Sequence, residues 1–160
     1  MLDHASILVA ENEPFIALDL ALAIEDAGGV VVGPAASCQE ALALLATTVV
    51  VAAILDLDLL DGDCSAVVER LVGAGVPVIL QTGGQIPPTL TARFPGVVVQ
   101  IKPFVAANLI ARLEVVISNH QERGVAAANS LIIVEQNAGR SSGLREVTSL
   151  RSTTTSSSTH

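Results

Sequence analysis

Short apolar runs rich in β-branched residues alternate with longer segments whose apolar positions recur every three or four residues. The run Ile7-Leu8-Val9-Ala10 predicts a first strand. Pro14 then opens a helix where a missing N–H leaves no bond unmade, with Phe15, Ile16, Leu20, Ala23 and Ile24 as its apolar face and Gly28-Gly29 as its stop. Val30-Val31-Val32 predicts a second strand. Ser37, followed three positions later by Glu40, is a capping-box pattern for a helix through Ala46.

Val49 to Leu55 is wholly apolar and predicts a central third strand, which runs into the acidic segment Asp56-Leu57-Asp58-Leu59-Leu60-Asp61-Gly62. Asp63 is expected to cap a helix reaching about Val72, ahead of Gly73 and Gly75. Pro77 to Leu80 predicts a fourth strand, ending at Gln81-Thr82-Gly83-Gly84. A loop with Pro87-Pro88 and a short helix near Thr89 to Phe94 lead to a fifth strand, Val97 to Ile101. Lys102-Pro103-Phe104 then leads into a last helix to about Ser118.

Five strand-helix rounds predict an α/β domain over residues 1–120, a five-stranded parallel sheet wound by right-handed crossovers with helices on both faces. The character changes from about residue 119. Residues 121–160 are polar and turn-rich, notably at Gly139-Arg140-Ser141-Ser142-Gly143 and from Ser152 to Thr159, so this tail is expected to be mostly disordered and to carry no output domain. Leu131-Ile132-Ile133-Val134 is an apolar island in it, readable as a stray strand, a docking segment or a patch with no role.

Composition refines this picture. The 160 residues are 51% apolar with a mean hydropathy of +0.61, but the stretch Ala41 to Leu55 is shorter than a membrane span and is broken by Thr47-Thr48. Parallel strands buried on both faces account for the hydropathy, and no membrane association is expected. No basic, apolar, small-residue segment opens the chain, so a cytoplasmic location is expected. All of the net charge of −8 arises before residue 119, where thirteen acidic side chains face Arg70, Arg93, Lys102 and Arg112; this disfavours contact with a phosphate backbone, and no nucleic acid is expected as a partner. Cys38 and Cys64 lack metal-site spacing, and His4, His120 and His160 lie near segment ends. Neither a zinc site nor a Cys/His nucleophile assembles from them.

In an open parallel sheet, function collects at the carboxyl ends of the strands. Those ends here supply Glu11-Asn12-Glu13, Asp56, Thr82 and Lys102. Carboxylates gathered at one point can hold a hard divalent cation while one of them acts as nucleophile. A hydroxyl and an ammonium opposite them would neutralise an incoming phosphoryl group. Lys102 is the only lysine in the chain. Asp56 ends a wholly apolar strand, where a carboxylate needs a cation or a donor. Glu13, Asp61 and Asp63 are accounted for as turn and cap residues. Gly29 to Gly33 lacks the spacing of a dinucleotide fingerprint.

With Ile-Leu-Val-Ala-Glu11-Asn12-Glu13-Pro14, Val-Val-Gly33-Pro34-Ala-Ala-Ser37, Ile-Leu-Asp56-Leu-Asp-Leu-Leu-Asp61-Gly62, Leu-Gln-Thr82-Gly83 and Lys102-Pro103-Phe104 in order, the chain resembles the response-regulator receiver family from about Ile7 through Ser118. The resemblance implies a flavodoxin-like (βα)5 fold and a stand-alone, non-enzymatic phosphoacceptor, with at most self-catalysed phosphorylation and dephosphorylation. Asp56 would receive a phosphoryl group from a histidine kinase or histidine phosphotransfer protein. Mg²⁺ would be held by Glu11, Asn12, Asp56 and the Asp58 backbone carbonyl, Thr82 would hydrogen-bond the phosphoryl group, and Lys102 would contact one of its oxygens. The Lys102-Pro103 bond is expected to be cis, as in similar proteins.

Three positions depart from the family's pattern. Asn12 stands where a direct metal-binding Asp is usual; its amide oxygen can still coordinate, with a weaker Mg²⁺ site expected. Val99 stands where an aromatic switch residue commonly sits, so output would travel by backbone or aliphatic repacking. Leu60 replaces a frequent Pro. Binding to an unidentified downstream protein is expected on a face built from the fourth helix, the fifth strand and the last helix, near Val98, Phe104 and Leu109; a homodimer through the last helix and the fifth strand, or service as a phosphate sink, are the other expected outputs. Two other readings stand beside this one: a degenerate receiver acting as a phosphate-independent interaction module, and a haloacid-dehalogenase-like phosphatase with Asp56 and Asp58 as its paired carboxylates.

Overall fold

The computed structural model describes residues 1–141, with side chains through residue 127. Five strands alternate with five helices. They are β1 (Ser6–Ala10), α1 (Pro14–Asp26), β2 (Val30–Ala35), α2 (Cys38–Thr47), β3 (Ala52–Asp56), α3 (Ser65–Gly73), β4 (Val78–Thr82), α4 (Pro88–Arg93), β5 (Val98–Ile101) and α5 (Ala106–Ser141). Met1–Gln121 packs as one compact unit.

All strand pairs are parallel, in the order β2-β1-β3-β4-β5. Successive side chains on a strand point to opposite faces, so the strands feed two cores. Leu8, Ala53, Leu55 and Leu80 pack with Ala41 of α2, Val67, Val68 and Leu71 of α3, and Leu90 of α4. Ile7, Val9, Ile54 and Ile79 pack with Leu20 and Ile24 of α1 and Leu109, Ile110 and Leu113 of α5. Burying each such Leu or Ile contributes roughly 1.5–3 kcal/mol. β3 and β4 are buried at every position, which explains their unbroken apolar runs.

Several boundaries differ from those expected. β3 starts at Ala52, and Val49 is 90% exposed. The reason is register: the Val51 N–H donates to Ser6 O and Ile7 pairs with Ala52, so no neighbouring strand extends far enough to pair with Val49. In α1 the buried stripe is Ala17, Leu20 and Ile24, and Phe15, on the opposite side at 100° per residue, faces solvent. Asp63 stands one residue before the N-cap position of α3, Cys64, and its carboxylate accepts from the N–H and Oγ of Ser65, the first residue of the helix.

α5 runs to Ser141, past the expected end near Ser118. Gln121, Glu122, Arg123 and Ala126-Ala127-Ala128 favour helix and no proline intervenes, so the single Gly124 does not stop it. The backbone of residues 121–141, expected to be mostly disordered, is helical here, with Leu131–Val134 within the helix; residues 142–160, with the polar run Ser152 to Thr159, lie outside the described residues. No helix among the described residues is long and apolar enough to cross a membrane. Of the three residues expected near an output face, Leu109 is buried and Val98 and Phe104 pack against the core; Ile101, Val105 and Val115 are the exposed apolar groups there.

Gly33 sits at φ +107°, and a Cβ there would lie 2.7 Å from Val9 O, so both conformation and space require glycine. Gly33→Ala is expected to cost about 1–3 kcal/mol in urea unfolding. Gly73→Ala, at the end of α3 with open space around the added methyl, should instead be neutral or gain up to about 1 kcal/mol. Equal losses at both positions would refute this reading of the backbone.

Candidate functional site

The carboxyl ends of β1, β3, β4 and β5 meet at one edge of the sheet, each strand carrying a polar side chain beyond its last aliphatic one. Glu11 follows β1, Asp56 ends β3, Gln81 and Thr82 end β4, and Lys102 follows β5. Glu11, Asp56, Gln81 and Thr82 are the buried polar residues among those described.

Lys102 ties the group together. Its Nζ lies 2.5 Å from Asp56 Oδ2, 2.9 Å from Glu11 Oε2 and 3.4 Å from Glu13 Oε1. The backbone presents it there through the bond from Lys102 N–H to Thr82 O at 2.8 Å, and the Lys102-Pro103 peptide is cis as expected. Gly33-Pro34 is cis as well. Asp56 Oδ1 accepts from the Asp58 N–H at 2.9 Å, so both oxygens of this carboxylate are engaged. Glu11 Oε1 accepts from the Glu13 N–H at 2.9 Å, and Oε2 also accepts from Gln81 Nε2 at 2.8 Å.

Burial pushes the Glu11 carboxyl up from its ordinary value, against the lowering effect of the Glu13 N–H and of Lys102. Burial alone would lower the Lys102 ammonium, but its bonds to Asp56 and Glu11 and their charges outweigh this and raise it. Both thiols are free and buried. Burial pushes Cys38 up to about 11 and Cys64 up to about 12, so neither is a nucleophile at neutral pH.

Among the described residues, ligand oxygens of Glu11, Glu13 and Asp56 all lie within 4.8 Å of one another. Three carboxylates facing one ammonium leave negative charge uncompensated. The donors are hard oxygens, the set that Mg²⁺ takes. On donor chemistry the residues fit such an ion.

The structure brings Asp56, Glu11 and Lys102 together as the sequence predicted. Thr82 ends the adjacent strand, its Oγ1 accepting from the Gly84 N–H at 3.0 Å, and a Cβ on Gly83 would meet nothing within 4 Å. Asn12 is half-buried, and no hydrogen bond to its side chain is found among the described residues. Asp58 is exposed and meets Asp56 through its N–H. Beside Thr82 and Asp58 opens a cleft of about 360 Å³, lined also by Leu57, Cys64, Pro87 and Arg93.

Two participants escaped the sequence reading. Glu13, read there as a turn residue, turns its carboxylate toward Lys102. Gln81 was not singled out, although a polar residue after Val78-Ile79-Leu80 was the available signal. Its Oε1 is buried without a partner. Such an acceptor destabilises by about 1–3 kcal/mol.

The crystal structure of a CheY-like receiver domain protein from Methanospirillum hungatei superposes with a TM-score of 0.67 at 19% identity, over 74% of this chain and 98% of that one. A putative response regulator from Chloroflexus aurantiacus gives 0.61 at 24% identity, over 71% and 98%. The chain has the fold of a response-regulator receiver domain. The response regulator PhyR from Brucella abortus matches at 30% identity and a TM-score of 0.67 over 79% of this chain, which spans 53% of PhyR's length. No protein-family model and no curated protein matches the sequence. Within this fold Asp56 lies at the end of the third strand.

The loop after β3, which carries Asp58, is pinned to α2. Asp61 accepts from the Cys38 N–H at 2.6 Å and the Gln39 N–H at 3.0 Å, while Ser37 Oγ takes the Glu40 N–H at 3.1 Å and Glu40 reaches back to the Ala36 N–H at 2.8 Å. The Cys38 and Gln39 N–H groups hold the Asp61 carboxyl below the usual aspartate range. A carboxyl depressed by folding adds stability above its unfolded-state pKa and loses it as the pH falls through the folded-state value. Asp61→Asn is therefore expected to lower Tm at neutral pH, with the gap to the parent closing as the pH falls below the ordinary aspartate value of about 3.9. Thermal unfolding at several pH values checks this, and a pH-independent gap would contradict it.

Proposed function

We propose that this protein is a phosphoacceptor receiver of two-component signalling, with Asp56 as the accepting residue. The observation that carries the reading is the Lys102 ammonium bound to Asp56 and Glu11 at the carboxyl edge of a receiver fold. An Asp56 oxygen would attack the phosphorus of a phosphohistidine on a kinase or phosphotransfer partner. The new P–O bond forms as the P–N bond breaks, and the departing imidazole takes up a proton. Lys102 would exchange its carboxylate contact for a phosphoryl oxygen, and the Thr82 hydroxyl would donate to another.

Glu11, Glu13 and Asp56 would hold Mg²⁺, with the Asn12 amide and the Asp58 carbonyl as further oxygens. When bound, the ion neutralises charge on the phosphoryl oxygens during transfer. Output would pass to a partner protein or a second copy of the chain. Asn12, a neutral amide between Glu11 and Glu13, favours one competing reading, an interaction module independent of phosphate.

Intact mass after incubation with acetyl phosphate or phosphoramidate and Mg²⁺ tests this. The mass of one phosphoryl group should be gained, absent in Asp56→Asn and when Mg²⁺ is chelated. No adduct from either donor would favour the phosphate-independent module.

A further inference from the structure

Gln81 interrupts an aliphatic strand. It is wholly buried, paired in register with Asp56 on one side and Gln100 on the other. Ile79, two residues earlier on the same face, belongs to the core shared with α1 and α5, so an aliphatic residue at 81 would extend that core. The amide instead donates one bond, to Glu11 Oε2 at 2.8 Å, and leaves Oε1 unpartnered. A fold under selection for stability alone has no use for this arrangement; buried unsatisfied groups collect at functional sites.

Glu11 has one more torsion than an aspartate at the same place, and thus more freedom to remove before its carboxylate can serve as a ligand. Three donors remove it: the Glu13 N–H on Oε1, and Gln81 Nε2 and Lys102 Nζ on Oε2. Lys102 is shared with Asp56 and Glu13. In the phosphoacceptor reading, on which this inference rests, Lys102 turns to the phosphoryl group. Gln81 Nε2 has Glu11 as its partner and no competing carboxylate.

We propose that Gln81 is a positioning residue that holds the Glu11 carboxylate in place for a divalent cation. It acts through Glu11 and touches neither the cation nor the phosphoryl group.

The chain has no Trp or Tyr, so cation binding is followed by the EPR signal of free Mn²⁺ titrated into the full-length protein. Gln81→Met keeps the length and loses the donor. Its Mn²⁺ affinity should fall on the order of tenfold, the effect of losing a hydrogen bond to a charged group, while Tm stays level or rises because the orphaned acceptor is gone. In a Glu11→Asp background, where the carboxylate is one methylene shorter and drawn back from the amide, the same change should alter affinity less than about twofold.

Parent-like affinity in Gln81→Met overturns the proposal, as does an equal loss in both backgrounds. Should Gln81→Met not fold, Gln81→Asn, whose amide falls short of Glu11, is read in the same way. A parent that gains a phosphoryl group while Gln81→Met matches it in Mn²⁺ affinity removes this proposal alone. A parent that neither binds Mn²⁺ nor takes a phosphoryl group removes the phosphoacceptor reading and this proposal with it.

Discussion

One ammonium stands among three carboxylates at the edge of the sheet, and two of those carboxylates are buried at the ends of aliphatic strands. Burial pushes the Glu11 carboxyl up, and a cation placed between it and Asp56 opposes that push. Lys102 supplies that cation from β5, two strands away from β3 in the sheet. The position of β5 and the close of the loop into α5 thus share one electrostatic requirement with the strand ends of β1 and β3.

One ammonium does not match the charge of three carboxylates, and in the phosphoacceptor reading proposed above the unmatched charge is what a divalent cation would meet. Fixed donors surround it. The Asp58 N–H holds one Asp56 oxygen, the Glu13 N–H and the Gln81 amide hold Glu11, and Asp61 anchors the β3–α3 loop to the first turn of α2. Val99 is half-buried on β5, and its carbonyl accepts from Arg112 on α5.

Fold and site were legible in the sequence to different depths. Strands covered on both faces are apolar throughout, which made β3 and β4 legible, whereas the partly buried edge strands β2 and β5 were read from their β-branched runs. Apolarity alone does not say where a strand finds a partner, which is why Val49 was taken into β3 although it is exposed. Helical period places Phe15 opposite the buried stripe, yet its size drew it into the expected core. The end of α5 was missed because single Gly, Asn and Ser residues read as breakers, whereas the helix formers between them carry the backbone onward. Gln81 stayed hidden because its partner Glu11 lies 70 residues away and nothing local marks the pairing.

Lysine-selective ¹⁵N and ¹³C labelling tests the central interaction most directly, since Lys102 is the only lysine in the chain and yields a single set of signals. The account predicts side-chain signals that remain those of an ammonium beyond about pH 10.4, where free lysine is half-titrated, and that shift saturably as Mg²⁺ is added. A side chain that titrates at or below the value of free lysine and ignores Mg²⁺ would contradict it.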